Sequence, residues 1–244
     1  MLKIINKIAI SVSLIAFSTF TNASLITNGS FEQLVFDDNS QSYGAVRNIN
    51  LQSYENKNQA WDVFSNLPGW VTSYGNGIEL QKNVVTRSQD GSNHVELDSH
   101  ISGASNAVMT QSLDSLSIGS DYLLEFYYKP RTNKLNDNGI NVFWYDSAIN
   151  FDLAFDVDFS TDSTRNLTPN WALQTATFTA QATSMNLSFG AFGKQNTLGG
   201  LIDNISLNKV STLQPAVSVP EPSMLIMFVL GLGLLAARKR KWIG

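Results

Sequence analysis

Between residue 24 and about residue 213 the apolar side chains recur at every second position, and no stretch holds the spacing of an amphipathic helix. Period two sends successive side chains to opposite faces of an extended chain, so the pattern predicts strands with one apolar face. Phe151, Leu153, Phe155, Val157 and Phe159 alternate with Asp152, Ala154, Asp156 and Asp158, and Met185, Leu187, Phe189 and Ala191 alternate with Asn186, Ser188 and Gly190. Tyr122–Tyr128 and Val142–Tyr145 are aromatic, β-favouring runs, and Leu173–Phe178 is a Thr-rich one. Turn residues precede three of them, at Gly119–Asp121, Asn136–Gly139 and Thr168–Asn170. Many short strands so punctuated predict an all-β fold, a β-sandwich or jelly roll. About 190 residues can bury roughly 70% of their unfolded surface, enough for a core without cross-links. Trp70 and Trp144 are expected in that core. Asp37–Gln59 reads as a long loop, and Arg131–Asn138 and Ser160–Asn170 as shorter ones.

The two ends differ from this body. Met1–Ala23 has the parts of a secretory signal peptide: Lys3 and Lys7, an apolar stretch from Ile8 to Phe20, then small residues ending at Ala23. At the other end, 214–222 reads as a linker, and 223–244 holds the apolar run Met224–Ala237 followed by Arg238, Lys239, Arg240 and Lys241. Fourteen helical residues reach roughly 21 Å, short of the ~30 Å hydrocarbon core, so this is a marginal transmembrane helix. The basic cluster stays cytoplasmic by the positive-inside rule, which leaves 24–220 outside.

Composition then excludes several functions. The chain has no Cys, which removes disulfide scaffolds, thiol chemistry and Cys-ligated metals. The net charge of −4 conceals an uneven distribution: residues 24–220 hold 10 basic against 19 acidic side chains, a net of −9. Nucleic acid is not expected as a partner, because neutralising phosphates needs a basic surface.

Pro220, Glu221 and Pro222, the short helix with Gly231 and Gly233, and the basic cluster 238–241 together resemble the PEP-CTERM sorting signal of Gram-negative, exopolysaccharide-producing bacteria. That resemblance implies an exosortase, a membrane transpeptidase acting close to Pro220–Pro222. It further implies export through the inner membrane, transient anchoring by the C-terminal helix, and a final place on the cell surface or in the extracellular matrix.

A second resemblance covers most of the body. Leu25–Glu32, Leu67–Trp70, Asp90-Gly91 leading to Val95–Asp98, Tyr122–Arg131 and Gly199–Leu207 look like galactose-binding-like jelly-roll domains, which are similar to many carbohydrate-binding modules. It implies that the segments around Leu25–Glu32 and Ile202–Leu207 are the first and last strands, side by side. Related jelly rolls often join those strands through a structural Ca²⁺, and the ligands map to Glu32 and Asp203; hard carboxylate and carbonyl oxygens suit that ion.

Sandwich modules hold glycans by stacking sugar rings on aromatic side chains and fixing hydroxyls with placed polar groups. Trp61, Tyr54 and Tyr74, in or beside polar Asn-rich segments, are the expected platforms for polysaccharide. Glu79, Glu96 and Asp98 are carboxylates on expected strands, and a glycosidase needs two about 5 to 9.5 Å apart, a separation the sequence does not fix. His94 and His100 do not fall on one face of an extended chain, which disfavours a two-His metal site. The reading is a non-enzymatic, exported carbohydrate-binding sandwich. The alternatives are a glycan-active hydrolase or lyase on the same fold, and a purely structural matrix protein.

Overall fold

The structure, a computed structural model, describes residues 23–34, 49–100, 105–153, 155–167 and 169–211 of the 244-residue chain. A division of the chain falls after Val210. The signal segment 1–22, the sorting residues Pro220, Glu221, Pro222, Arg238, Lys239, Arg240 and Lys241, and the C-terminal apolar helix lie outside the described residues. No helix among the described residues is long and apolar enough to cross a membrane.

One helical turn, α1 (Leu51–Glu55), precedes the strands β1 (Ala60–Phe64), β2 (Asn66–Leu67), β3 (Trp70–Tyr74), β4 (Ile78–Lys82), β5 (Asn93–Glu96) and β6 (Val108–Leu113). They are followed by β7 (Asp121–Lys129), β8 (Gly139–Asp146), β9 (Phe159–Thr161), β10 (Ala172–Thr179), β11 (Met185–Phe192) and β12 (Leu201–Lys209). All pairings are antiparallel and build two six-stranded sheets, a first of order β1-β4-β5-β12-β7-β10 and a second of order β2-β3-β6-β11-β8-β9. The fold is the all-β sandwich that the alternation predicts.

Alternation decides what each sheet buries. In β7, Tyr122, Leu124, Phe126 and Tyr128 are buried, whereas Leu123, Glu125, Tyr127 and Lys129 between them are half-exposed. Across the core, Phe189 lies 6.0 Å from the Trp70 ring and 5.2 Å from that of Phe126, both near edge-to-face, an arrangement aromatic pairs favour. Trp70 is buried, and Trp144 stacks on Phe178 at 5.8 Å while its ring N–H donates to the Thr179 carbonyl at 3.0 Å.

Three expectations are corrected. Phe151–Asp158 is no strand: only Phe159–Thr161 pairs, with β8. Phe151 and Phe155 fold back onto Tyr145, 6.1 and 5.0 Å away, while Leu153 and Val157 are exposed. Packing of two rings on one neighbour wins over local alternation. Second, the stretch read as loop from Asp37 to Gln59 contains α1, capped by the Asn50 side chain, which accepts the Ser53 N–H at 2.7 Å. Third, Leu25–Glu32 is not a ladder strand. It nevertheless lies along β12, where Leu25 N–H donates to Leu207 O and Ile205 N–H to Gly29 O, each at 2.9 Å.

Candidate functional site

The outer face of the first sheet is polar yet closed. Register sets Glu79 opposite Glu96 and Gln81 opposite His94, on the face away from Leu80 and Val95. All four polar side chains are buried. The cover comes from Ser88, Trp171, Arg131, His100 and Gly199. Ser88 Oγ meets His94 Nδ1 at 2.9 Å, the Trp171 ring lies 5.6 Å from His94, and His100 N–H donates to Glu79 at 2.8 Å. Arg131 forms an ion pair with Glu96, which also accepts the Gly199 N–H.

Gln81 ties this floor together. Its amide nitrogen donates to Glu79 at 2.7 Å and to Glu96 at 2.6 Å, and its oxygen faces His94 Nε2 at 3.3 Å. An amide oxygen only accepts, so His94 carries its proton on Nε2 and receives the Ser88 hydroxyl at Nδ1. Burial, then the charges of Lys129 and Arg131, pushes His94 down to about 3, so it is neutral at physiological pH. Burial raises Glu79. Burial and the Glu79 charge raise Glu96 well above the usual carboxylate range, against the pull of Arg131.

The two carboxylates expected to hold calcium come together on one turn, Gln89–Asn93. Glu32 Oε1 accepts Ser92 N–H at 2.7 Å and Asn93 N–H at 2.6 Å, and Asp203 Oδ2 accepts Gln89 N–H at 2.7 Å and Asp90 N–H at 3.0 Å. Gly91 sits at φ +62 against the Glu32 carboxyl, where a side chain would collide. Burial raises Asp203 to about 7, opposed by its N–H donors. Both groups thus aim oxygens at N–H hydrogens, and no group of three or more His, Asp or Glu that could hold a metal occurs among the described residues. These hydrogen bonds link the turn to Glu32 and to Asp203 on β12.

The expected sugar platforms are dispersed. Tyr54 is buried, its hydroxyl 3.2 Å from Asn93 Oδ1, so its ring offers no surface; the polar letters around it belong to a helical turn that packs inward. Trp61 is half-buried on β1 with its ring 5.0 Å from His100, and Tyr74 is 45% exposed on β3 of the other sheet. They form no common platform.

An open concave site lies elsewhere, at the end of the sandwich where β7 runs into β8, β9 into β10 and β11 into β12. A cavity of about 600 Å³ is lined there by Arg131, Thr132, Asn133, Lys134, Asp137, Arg165, Asn166, Asn196 and Leu198. Its shape depends on Asn138, wholly buried beneath it. The Asn138 oxygen accepts Arg131 N–H at 2.9 Å and Thr132 N–H at 2.8 Å, while its nitrogen donates to Lys134 O at 2.7 Å and Ser163 O at 2.9 Å. Arg165 N–H adds a bond to Thr132 O at 2.8 Å. Two loops are thereby locked into one wall. Gly200 is glycine because a Cβ there would strike the Asn138 carbonyl and the Tyr128 ring.

Asp137 ties the β11–β12 loop to this wall: it accepts the Thr132 hydroxyl at 2.6 Å and the Asn196 amide at 2.7 Å. Asp98 holds the same loop by accepting Asn196 N–H at 3.2 Å and Leu198 N–H at 2.9 Å. Asn133, Lys134, Arg165 and Asn166 are exposed, and none of their side chains enters a hydrogen bond or ion pair among the described residues. The sequence marked both loops as polar connections. It gave no sign that one buried amide would assemble them into a pocket.

Comparison with known proteins adds the following. Residues 218–241 match the PEP-CTERM protein-sorting motif. Over 207 residues, 82% of this chain, the sequence is 27% identical to halomucin of Haloquadratum walsbyi, of which it spans only 2%. Among solved structures, TmCBM61 in complex with β-1,4-galactotriose is 13% identical, with 78% of this chain and all of that one covered at a TM-score of 0.42. The CBM22-1–GH10 modules of Clostridium thermocellum xylanase 10B, complexed with xylohexaose, are 18% identical, with 64% of this chain and 29% of that one covered at a TM-score of 0.42.

Proposed function

We propose that this is an exported protein, delivered to an exosortase by its PEP-CTERM motif, whose β-sandwich binds carbohydrate in the pocket at the β7–β8 end. The observation that carries the reading is the preassembled pocket itself. It has the size of a small-ligand site, and its loops are fixed from below by Asn138. Two amides, Asn133 and Asn166, are free to pair with ligand hydroxyls as donor and acceptor at once. A prefixed wall lowers the ordering entropy that a flexible loop would lose on binding.

Binding is favoured over glycan hydrolysis by burial. Hydrolysis needs two carboxyl groups against the scissile bond. Glu96 is 0% and Glu79 3% exposed, and the one carboxylate lining the pocket, Asp137, is occupied by Thr132 and Asn196.

The test is titration of the full chain, purified in detergent, with the producing organism's own polysaccharide and with defined oligosaccharides. Asn133→Ala and Asn166→Ala are each expected to weaken binding by about fivefold, the equivalent of one hydrogen bond of ~1 kcal/mol. Trp61→Ala and Tyr74→Ala are expected to leave it unchanged. Failure to bind any glycan at millimolar concentration would favour a structural matrix role, and release of reducing ends would favour the hydrolase reading.

A further inference from the structure

The charge of the pocket runs against that of the body around it. Only 10 basic side chains stand against 19 acidic ones between residues 24 and 220, yet Lys129, Arg131, Lys134, Arg165 and Lys194 all belong to the end of β7 or to the loops around this cavity. Among the lining residues the cations are Arg131, Lys134 and Arg165, and the single carboxylate is Asp137. Arg131 is neutralised by Glu96 and also donates to Thr197 O at 3.1 Å. Asp137 is buried beneath two hydrogen bonds. Asp162, in the same loop as Arg165, does not line the cavity and takes the Asn136 N–H.

Lys134 and Arg165 are therefore left as two exposed cations without partners among the described residues, one from each loop that Asn138 locks together. Each stands beside a free amide, in the dipeptides Asn133-Lys134 and Arg165-Asn166. The Arg165 charge reaches at least as far as Lys129, where it adds to burial in lowering the ammonium below its ordinary range. Neutral hydroxyls need amides and no cations. A pair of uncompensated cations carried on two locked loops instead matches an oxyanion, and the bonds it would make are charge-assisted.

We propose that this pocket holds the acidic group of an anionic glycan, a uronate carboxylate or a sulfate ester, between Lys134 and Arg165. The inference rests on the carbohydrate-binding reading above and names the substrate class of that same site. It also reconciles a body of net −9 with a polyanionic ligand: the acidic surface repels the polymer everywhere except at one cationic end, which sets its orientation.

The experiment titrates the full chain in detergent with four probes: an oligogalacturonate, a sulfated galactan oligosaccharide, neutral β-1,4-galactotriose and a single-stranded oligonucleotide. The double variant Lys134→Ala/Arg165→Ala, both exposed positions, is compared with the parent. At least one anionic glycan probe is expected to bind about tenfold or more tighter than the neutral one. That preference is expected to vanish in the double variant, and to weaken in the parent as salt rises from about 0.05 to 0.5 M. The carboxylate and sulfate arms tell the two sources apart. Neutral and anionic probes binding alike, or an unchanged anionic affinity in the double variant, overturns this inference and leaves carbohydrate binding standing. No binding of any probe overturns both, and a single-stranded oligonucleotide binding as tightly as the acidic glycan overturns the assignment to glycans.

Discussion

Asn138 shows how much one side chain can decide. Replacing it with Ala leaves the N–H groups of Arg131 and Thr132 and the carbonyls of Lys134 and Ser163 without their partner. Each unsatisfied buried group costs about 1–3 kcal/mol, less where water can enter, so Asn138→Ala is expected to lose about 2–4 kcal/mol in denaturant melts and to weaken glycan binding as well. Arg131 makes a second residue-scale case. Removing it strands Glu96 in the core, expected to cost about 3–5 kcal/mol at neutral pH. The sign with pH follows from Glu96. Its folded value is raised above its unfolded one, so the folded state binds the extra proton and stability falls as pH rises through the folded value. A protonated Glu96 needs no cation, so the loss in Arg131→Ala is expected to be larger at pH 8 than at pH 5 when Tm is measured at both. Some of this scale was legible in advance. Pro68-Gly69 before Trp70 and the β-run around Trp144 pointed to buried indoles, and the structure buries both. Tyr54 was misread because its neighbours are polar while its own face is not, and Asn138 was hidden because an Asn beside Gly reads as a turn residue whether or not its side chain is buried.

At the scale of elements, β7, β8, β10 and β11 are where their runs in the sequence placed them, because one side of each faces the core and register fixes the rest. Where short segments are held by long-range partners instead, the sequence is silent. The turn Gln89–Asn93 is gripped by Glu32 from one end of the chain and by Asp203 from the other. Gly91→Ala puts a methyl at positive φ into the Glu32 carboxyl, and a loss of about 1–3 kcal/mol in chemical denaturation is expected. The same grip has a pH signature. Asp203 is raised to about 7, so its contribution to stability is expected to fall as pH rises from about 4 to about 7, opposed up to about pH 6.5 by the proton that His94 holds only in the unfolded chain. Asp203→Asn is expected to flatten that fall in thermal melts, leaving the part due to Glu96. The aromatic loop after β8 is the complementary case: its alternation suits a strand, but Phe151 and Phe155 find a better partner in Tyr145 than in a neighbouring ladder.

Over the whole molecule, the match to the sorting motif places the basic cluster 238–241 in the segment that directs delivery, so the charge of the working protein depends on whether that segment is removed. In a host with an exosortase, the mature product is expected to lack Arg238–Gly244 by mass spectrometry, and an intact tail there would refute the sorting. Deleting residues 218–244 is expected to change where the protein goes and not the affinity of its pocket.

The direction of β12 has a mechanical consequence. This strand begins just after Asn196 and Leu198 of the pocket wall and ends at Lys209, where the chain leaves the sandwich. Nine residues at roughly 3.3 Å each put about 30 Å between the pocket and that exit. On the proposed reading, a polymer held in the pocket and pulled against the Lys209 end of the sandwich pulls along β12. Its hydrogen bonds to β5 and β7 run across that line and carry the load side by side instead of opening one at a time. The sandwich is strung so that traction on its ligand shears a central strand, the loading direction in which a sheet yields last.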